Sequence, residues 1–251
     1  MGLELFSADG SGQVTLVEKL PRGEWLVELA SGEWSDFLTK HGRPPLPPYI
    51  RRMRSSDSDD EIQQSDFQRY QTIWAKHNGS VAAPTASLHF DEDMLQQLLQ
   101  QQVGIEYLSL HVGQGTFLPV SCERVEDHPI HSELFEVGDK LAQQIEKVRA
   151  NGGRIFAGGT TVCRALEAWA AGHAHETDLM ILPGHKFKVV DALLTNFHTP
   201  RSTLLALVAA LAQQHGAADG LKFVKEVYVD AIAEHYRFYS YGDASLWIPS
   251  K

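Results

Sequence analysis

Four clusters of polar residues interrupt otherwise apolar stretches, and each carries side chains able to do chemistry. In LSLHVGQGTFLPV (108–120) an apolar run ends in His111, and Gly113 and Gly115 flank Gln114 ahead of Thr116 and Phe117. Small residues let backbone N–H groups approach a ligand closely. A dinucleotide loop would need a third glycine and a following helix, and Pro119 comes instead, so the choice lies between a tight turn and a ligand wall. In EDHPIHSELFEV the side chains of Asp127, His128, His131, Glu133 and Glu136 lie close in sequence. Histidine beside carboxylates suits acid–base work, because the carboxylate fixes the ring tautomer and tunes its protonation. Hydrogen-bonded structural histidines are the alternative. A metal site fits less well, since the spacing matches no standard zinc pattern and Pro129 blocks a helical arrangement.

The third cluster, FAGGTTVCRALE, reads as strand, two glycines, Thr160 and Thr161, then helix, with Arg164 one turn in. A helix N-terminus behind small residues favours a phosphate or carboxylate, and a guanidinium adds a fork of donors. Plain N-capping by Thr160 or Thr161 is the other reading. The fourth, VVDALLTNFHTPRST, places Asp191, Asn196 and His198 in a strand that should be buried. Buried polar groups cost free energy unless paired, so these belong to a structural hydrogen-bond network or to a substrate-binding wall. Cations gather in IRRMR (Arg51, Arg52, Arg54) and in PGHKFKVV (Lys186, Lys188), as nucleic-acid contacts or as solvated surface.

The elements that must position these residues follow from hydropathy period and punctuation. Residues 1–30 alternate apolar and polar positions between the turn signals DGSG and PRGE, which predicts three short antiparallel strands. SGEWSDFLTKHG reads as a helix ended by Gly42, and RPPLPPYI must be extended. The acidic, serine-rich SSDSDDEIQQSD reads as a mobile loop or as the entry to a helix. Beyond Pro84, helices opened by Asp91, Asp139, Thr160 or Thr161, and Ser202 alternate with apolar strands in IEYLSLHV, RIFAGG, DLMILPG and FKVVDALLTNF. An amphipathic helix, LKFVKEVYVDAIAEHY, and a strand-turn-strand, RFYSYGDASLWI, close the chain. This pattern predicts an α/β protein: residues 1–44 as part of a small antiparallel β-domain, and 45–251 as an α/β domain with a largely parallel sheet or barrel. The polar clusters then fall at strand ends, where α/β folds place their sites.

Composition bounds the class. The chain has 251 residues, 43% hydrophobic and 22% charged, as ordinary globular proteins do. Its longest apolar run, LLALVAALA, is too short to span a bilayer, and the N-terminus lacks the pattern of a secretory leader. Two cysteines, Cys122 and Cys163, are too few for a disulfide framework and are not spaced for zinc. A reduced, cytoplasmic protein without a metal is the expectation. The net charge of −10 opposes broad, nonspecific nucleic-acid binding but leaves room for a local basic patch.

The clusters together resemble one family. The stretches that carry the resemblance are PLPPYI (45–50), RYQTIWA (69–75), GSVAAPTASLHF (79–90), HVGQGTF (111–117), EDHPIHSE (126–133), GGTTVCRALE (158–167), TDLMILPGHKFKVVDALLTNFHTPRSTLL (177–205) and YRFYSYGDASL (236–246). In this order they are similar to the S-adenosylmethionine:tRNA ribosyltransferase-isomerases of queuosine biosynthesis. The resemblance implies a barrel-like α/β catalytic domain with a small β-barrel domain. It also implies transfer and isomerisation of the ribosyl part of S-adenosylmethionine onto 7-aminomethyl-7-deazaguanine in the tRNA anticodon, giving epoxyqueuosine-tRNA, adenine and methionine. On that reading His111, His131 and Glu133 carry the proton transfers. Gly113, Gly115, Thr116 and Phe117 form the cosubstrate wall, and Thr160, Thr161 and Arg164 hold a carboxylate or phosphate. Asp191, Asn196 and His198 line the cleft, and Arg51, Arg52, Lys186 and Lys188 meet the tRNA of a monomeric enzyme.

Departures from the family pattern are specific. Gln114 and Leu118 stand where the pattern has leucine and arginine, and Leu134 and Phe135 replace a tryptophan and a tyrosine. Val162 and Cys163 replace serine and valine, and His185 replaces a tyrosine. The family's N-terminal segment has no counterpart in the sequence. The alternative expectation is therefore a truncated or diverged, non-catalytic homologue that keeps a ligand- or tRNA-binding role.

Overall fold

A computed structural model of the chain describes residues 2–20, 23–47, 49–50, 65–76, 80, 82–112, 120, 122–130 and 132–250. The chain divides into two compact units, Met1–Pro45 with Arg54–Phe67 and Leu46–Met53 with Gln68–Lys251.

The first unit carries the antiparallel sheet that the alternation predicts, with β1 (Leu3–Phe6), β2 (Gln13–Lys19) and β3 (Trp25–Leu29) in that spatial order. The first turn closes on Asp9. Its carboxylate accepts hydrogen bonds from the Ser7 hydroxyl and from the N–H and hydroxyl of Ser11, which hold it well below the usual carboxylate range. Helix α1 (Trp34–His41) stops at Gly42, whose N–H returns to the Leu38 carbonyl at 2.8 Å.

The second unit holds two further sheets. β4 (Ser109–His111), β5 (Glu133–Glu136) and β7 (Glu176–Thr177) are antiparallel. β6 (Phe156–Gly158) pairs in parallel with β8 (Ala192–Asn196), which pairs antiparallel with β9 (Ala244–Trp247). Helices α2 (Glu92–Gln100), α3 (Asp139–Ala150), α4 (Thr160–Ala170), α5 (Thr203–Gln214) and α6 (Gly220–Ala233) complete it. Asp91 and Ser202 cap their helices as their positions predict, accepting from the N–H groups of Met94 and Leu205. Helix α5 is apolar nearly all round because it is the core helix: Leu207, Val208 and Leu211 are buried together with Leu193 of β8 and Val224 of α6. At the α5–α6 crossing a Cβ on Gly220 would lie 1.9 Å from the Ala209 carbonyl oxygen, so only glycine fits.

The mixed α/β class stands, with less parallel pairing among the described residues than the sequence pattern predicts. Among the described residues β6–β8 is the parallel pair, and no closed barrel forms. The predicted strands are also shorter than their apolar runs, because other groups take their backbone partners. Residues 187–190 do not join β8. The N–H groups of Lys188, Val189 and Val190 donate instead to the carboxylate of Glu167, which is 1% exposed, at 2.7 to 2.9 Å. In DLMILPG the Leu179 carbonyl accepts from the Arg164 side chain at 3.1 Å, and the strand lies just before it at Glu176–Thr177. The front half of RFYSYGDASLWI turns, with positive φ at Tyr239, and β9 is the strand there.

Because Glu167 satisfies three backbone donors at once, Glu167→Ala strands all three. A loss on the order of 3 kcal/mol in urea unfolding is expected, and an unchanged midpoint would contradict the clamp.

Candidate functional site

The site is built at the carboxyl ends of the parallel pair. After β6, Gly159 takes φ +112° and its N–H donates to the Leu194 carbonyl of β8 at 2.9 Å. That left-handed turn is open to glycine and brings α4 up beside the end of β8. Thr160 and Thr161 are the first residues of α4, both buried, and Gly159 is its N-cap, with no side-chain capping bond. The reading of Thr160 or Thr161 as a plain cap is therefore corrected. The helix instead presents first-turn N–H groups behind small residues, the arrangement that favours an anion.

One turn further on, Arg164 is 7% exposed and pairs with Glu133, 2% exposed, across 2.9 Å. Its Nε donates to the Leu179 carbonyl. Its Nη2 is buried and makes no hydrogen bond among the described residues. A carboxylate and guanidinium this deep are each costly to desolvate, and their contact offsets much of that cost. The remaining donor is a point where an acceptor would be strongly held.

A short 3₁₀ turn, Thr85–His89, lies against the same end of the sheet. The Ser87 hydroxyl donates to the Gly158 carbonyl at 3.3 Å, and the Thr85 hydroxyl to Asn196 Oδ1 at 2.9 Å. Asn196 Nδ2 lies 3.4 Å from His89 Nε2. Asn196 ends β8 and is 4% exposed, so the amide that the sequence marks as a polar intrusion is satisfied by residues outside its own strand. His198 follows, its Nε2 2.9 Å from the Thr195 hydroxyl and its backbone N–H donating to the Tyr228 hydroxyl. Burial pushes the His198 ring down to about 4 and the Tyr228 phenol up to about 12, so both are neutral at pH 7.

Asp191 sits elsewhere. It precedes β8 at the opposite end from Asn196, accepts from the Ile155 N–H at 2.8 Å and faces Arg149 at 3.6 Å. Lys186 and Lys188 are exposed on the loop that Glu167 anchors, next to His185, whose Nε2 is 3.4 Å from that carboxylate. His111 ends β4 opposite Leu134. Gly113, Gly115, Thr116, Phe117, His131, Arg51, Arg52 and Arg54 lie outside the described residues. The structure thus joins Thr160, Thr161 and Arg164 with Glu133, and Asn196 with two residues that hydropathy reasoning passed over, Thr85 and His89. Their signal was present: TASLH places a hydroxyl and an imidazole four residues apart. Glu167 had one too, as a charge on the Cys163–Leu166 face of an apolar helix. Among the described residues no group of three or more His, Cys, Asp and Glu side chains could hold a metal ion, and no helix is long and apolar enough to cross a membrane.

Two stability predictions follow from the buried groups. Glu133→Ala leaves the Arg164 charge alone in the interior and should cost about 3–5 kcal/mol in urea unfolding. The pair Glu133→Leu with Arg164→Met should recover much of it, and equal losses in both would contradict a desolvated ion pair. For His198, the unfolded chain takes up a proton near the ordinary value of 6.5 while the folded ring resists until about 4. Its contribution is therefore complete above pH 6.5 and is lost as pH falls from there towards 4. His198→Gln should flatten the urea midpoint between pH 6.5 and 4 relative to the parent, and an identical slope would refute the assignment.

Comparison with known proteins identifies the family. The family described as queuosine biosynthesis protein matches residues 2–247. The S-adenosylmethionine:tRNA ribosyltransferase-isomerase of Trichlorobacter lovleyi is 44% identical over 238 residues, covering 92% of this chain and 65% of that protein. That of Coxiella burnetii is 49% identical over 216 residues, covering 84% of this chain and 59% of the relative. The chain spans somewhat less than two thirds of the length of these curated relatives. The crystal structure of the S-adenosylmethionine tRNA ribosyltransferase from Thermotoga maritima aligns with a TM-score of 0.51 at 28% identity, covering 97% of this chain and 77% of that one.

Proposed function

This chain belongs to the queuosine biosynthesis protein family, and from that premise we propose that it transfers and isomerises the ribosyl moiety of S-adenosylmethionine onto 7-aminomethyl-7-deazaguanine in the tRNA anticodon. The products are epoxyqueuosine-tRNA, adenine and methionine. The observation that carries this reading is the family match over residues 2–247, with curated relatives named as S-adenosylmethionine:tRNA ribosyltransferase-isomerases. The polar architecture supports it. The acceptor is a loop base of tRNA, the cosubstrate carries a carboxylate, and the α4 N-terminus with Arg164 offers donors suited to a carboxylate or phosphate.

The chemistry asks the protein for a base and an acid. The sulfonium acidifies the adjacent 5′ carbon, and a neutral histidine removes that proton. The aminomethyl nitrogen stays on its carbon and forms a new C–N bond to the ribosyl part, giving up a proton to a base. The bonds from the ribosyl part to adenine and to the sulfonium sulfur break, adenine taking a proton from an acid and the sulfur leaving as methionine. Adenine leaves from the ribose in the same protected cleft. We assign these transfers to His111 and His131. Glu133, first grouped with them, is the counter-ion that holds Arg164. Gly113, Gly115 and Thr116 form the cosubstrate wall, and Phe117 stacks a base or faces the sulfonium. Thr160, Thr161 and Arg164 take the anionic end. Asn196 and His198 support the cleft, and Asp191 ties β8 to the start of β6. Arg51, Arg52, Lys186 and Lys188 meet the tRNA backbone of a cytoplasmic, monomeric enzyme.

Adenine release from S-adenosylmethionine, measured with tRNA carrying the aminomethyl base, tests the proposal. The chain should release adenine only when that tRNA is present, and His131→Ala should abolish release without loss of helical signal. Near-normal turnover of the variant would remove His131 from its role, and no release by the folded parent would reject the reaction.

A further inference from the structure

A cavity of about 360 Å³ opens where three of the motif stretches meet: RYQTIWA, the end of GSVAAPTASLHF, and YRFYSYGDASL. Its wall includes Arg69, Gln71, His89, Phe90, Arg237 and Tyr241. That volume suits one small ligand rather than a peptide. Two aromatic rings in the wall are backed by others. Phe90 packs on Trp74 with centroids 5.6 Å apart, and Tyr241 meets Tyr70 edge-on at 5.5 Å. Buttressed rings of this kind offer rigid faces for a flat ligand.

The polar groups are equally restrictive. Gln71 Oε1 accepts from the Thr72 N–H, which leaves its amide nitrogen as a donor with no partner among the described residues. Arg237 is held by Asp243, with Nη2 3.0 Å from Oδ1 and its backbone N–H on Oδ2 at 2.7 Å, so its charge is already met. His89 is fixed by a relay. The Thr85 hydroxyl donates to Asn196 Oδ1, so Asn196 is oriented with its Nδ2 towards His89 Nε2. An amide nitrogen only donates, so His89 Nε2 must be the acceptor, and the ring proton resides on Nδ1. Burial moves His89 towards its neutral form, with Asp243 opposing and Arg237 reinforcing that direction. Aromatic faces, the side-chain amides of Gln68 and Gln71, a neutral imidazole and an arginine already paired with Asp243 together suit a flat, hydrogen-bonding heterocycle, with Arg69 as a further donor in the wall.

We propose that this cavity binds a purine-type base, and that the Thr85–Asn196–His89 relay sets His89 as a hydrogen-bond donor to that base. The inference rests on the ribosyl-transfer reading in one respect, which is the choice of candidate bases. These are the adenine of the cosubstrate and the 7-aminomethyl-7-deazaguanine of the tRNA. Both share the flat, edge-bonding chemistry the cavity is built for. Asn196 is here a positioning residue, acting through His89.

Titration of the full chain with free adenine, and separately with free 7-aminomethyl-7-deazaguanine, tests this by calorimetry. One of the two bases should bind the parent, and His89→Phe should weaken that base about tenfold, the equivalent of one lost hydrogen bond. His89→Gln, which keeps a donor, should recover part of the loss and guards against a folding artefact in the phenylalanine variant. A loss confined to adenine assigns the cavity to the cosubstrate, and a loss confined to the deazaguanine assigns it to the tRNA base. Binding of neither base, or equal binding by parent and both variants, overturns the proposal. Nitrogen-15 NMR of the His89 ring gives an independent reading: the Nδ1–H tautomer is expected at pH 7, and the Nε2–H tautomer would overturn the relay. Base binding needs no turnover. A chain that binds a base through His89 yet releases no adenine counts against the reaction alone, and one that releases adenine with His89 irrelevant to base binding counts against the cavity alone.

Discussion

A guanidinium taken out of water beside a single carboxylate governs how the second unit is organised. Arg164 and Glu133 face each other across 2.9 Å with almost no solvent on either. Neither could be buried alone, because a lone charge in the interior costs several kcal/mol. Their contact therefore ties α4, which leaves the β6–β8–β9 sheet, to β5 in the β4–β5–β7 sheet. The Leu179 carbonyl, taken by Arg164 Nε, draws the segment after β7 to the same point. A charge pair in a medium that screens weakly also keeps its field, so Nη2, without a partner among the described residues, retains its pull on an acceptor.

Helix α4 carries a second device of the same kind. Thr161, Arg164 and Glu167 follow one another at intervals of three residues, so they lie along neighbouring positions of one helical surface. The first stands at the N-terminus beside the Gly159 turn, the second reaches β5, and the third gathers the N–H groups of residues 188–190. One helix thus orients an anion-favouring end, a buried charge and the loop that exposes Lys186 and Lys188. The cluster of Phe197, Tyr228 and Phe238, with Phe197 and Phe238 stacked at 4.7 Å, packs beside His198 and completes the wall beyond β8.

Much of the fold was legible in local pattern. The alternation in QVTLVEK, the capping serine and aspartate at Ser202 and Asp91, and the all-apolar face of TLLALVAALA lead directly to β2, to α2 and to the core position of α5. Strand lengths were not legible, since they depend on competition for backbone donors. Val189 and Val190 have every local preference of a strand, yet a carboxylate more than twenty residues away takes their N–H groups. The same holds for the site. Polar intrusion marks Asn196, Asp191 and Arg164 equally well, but only tertiary pairing separates an amide facing His89 from a carboxylate that braces Ile155 at the other end of the strand. His89 itself looks like any helix-end histidine until Asn196 is placed beside it.

The central claim is that this polar architecture serves ribosyl transfer onto a tRNA base. The most direct measurement is nucleoside mass spectrometry of tRNA from a bacterial strain whose own family member is deleted and which expresses this chain. Epoxyqueuosine should appear in that tRNA. Persistence of 7-aminomethyl-7-deazaguanine with no epoxyqueuosine, while the chain is present and folded, would contradict the account.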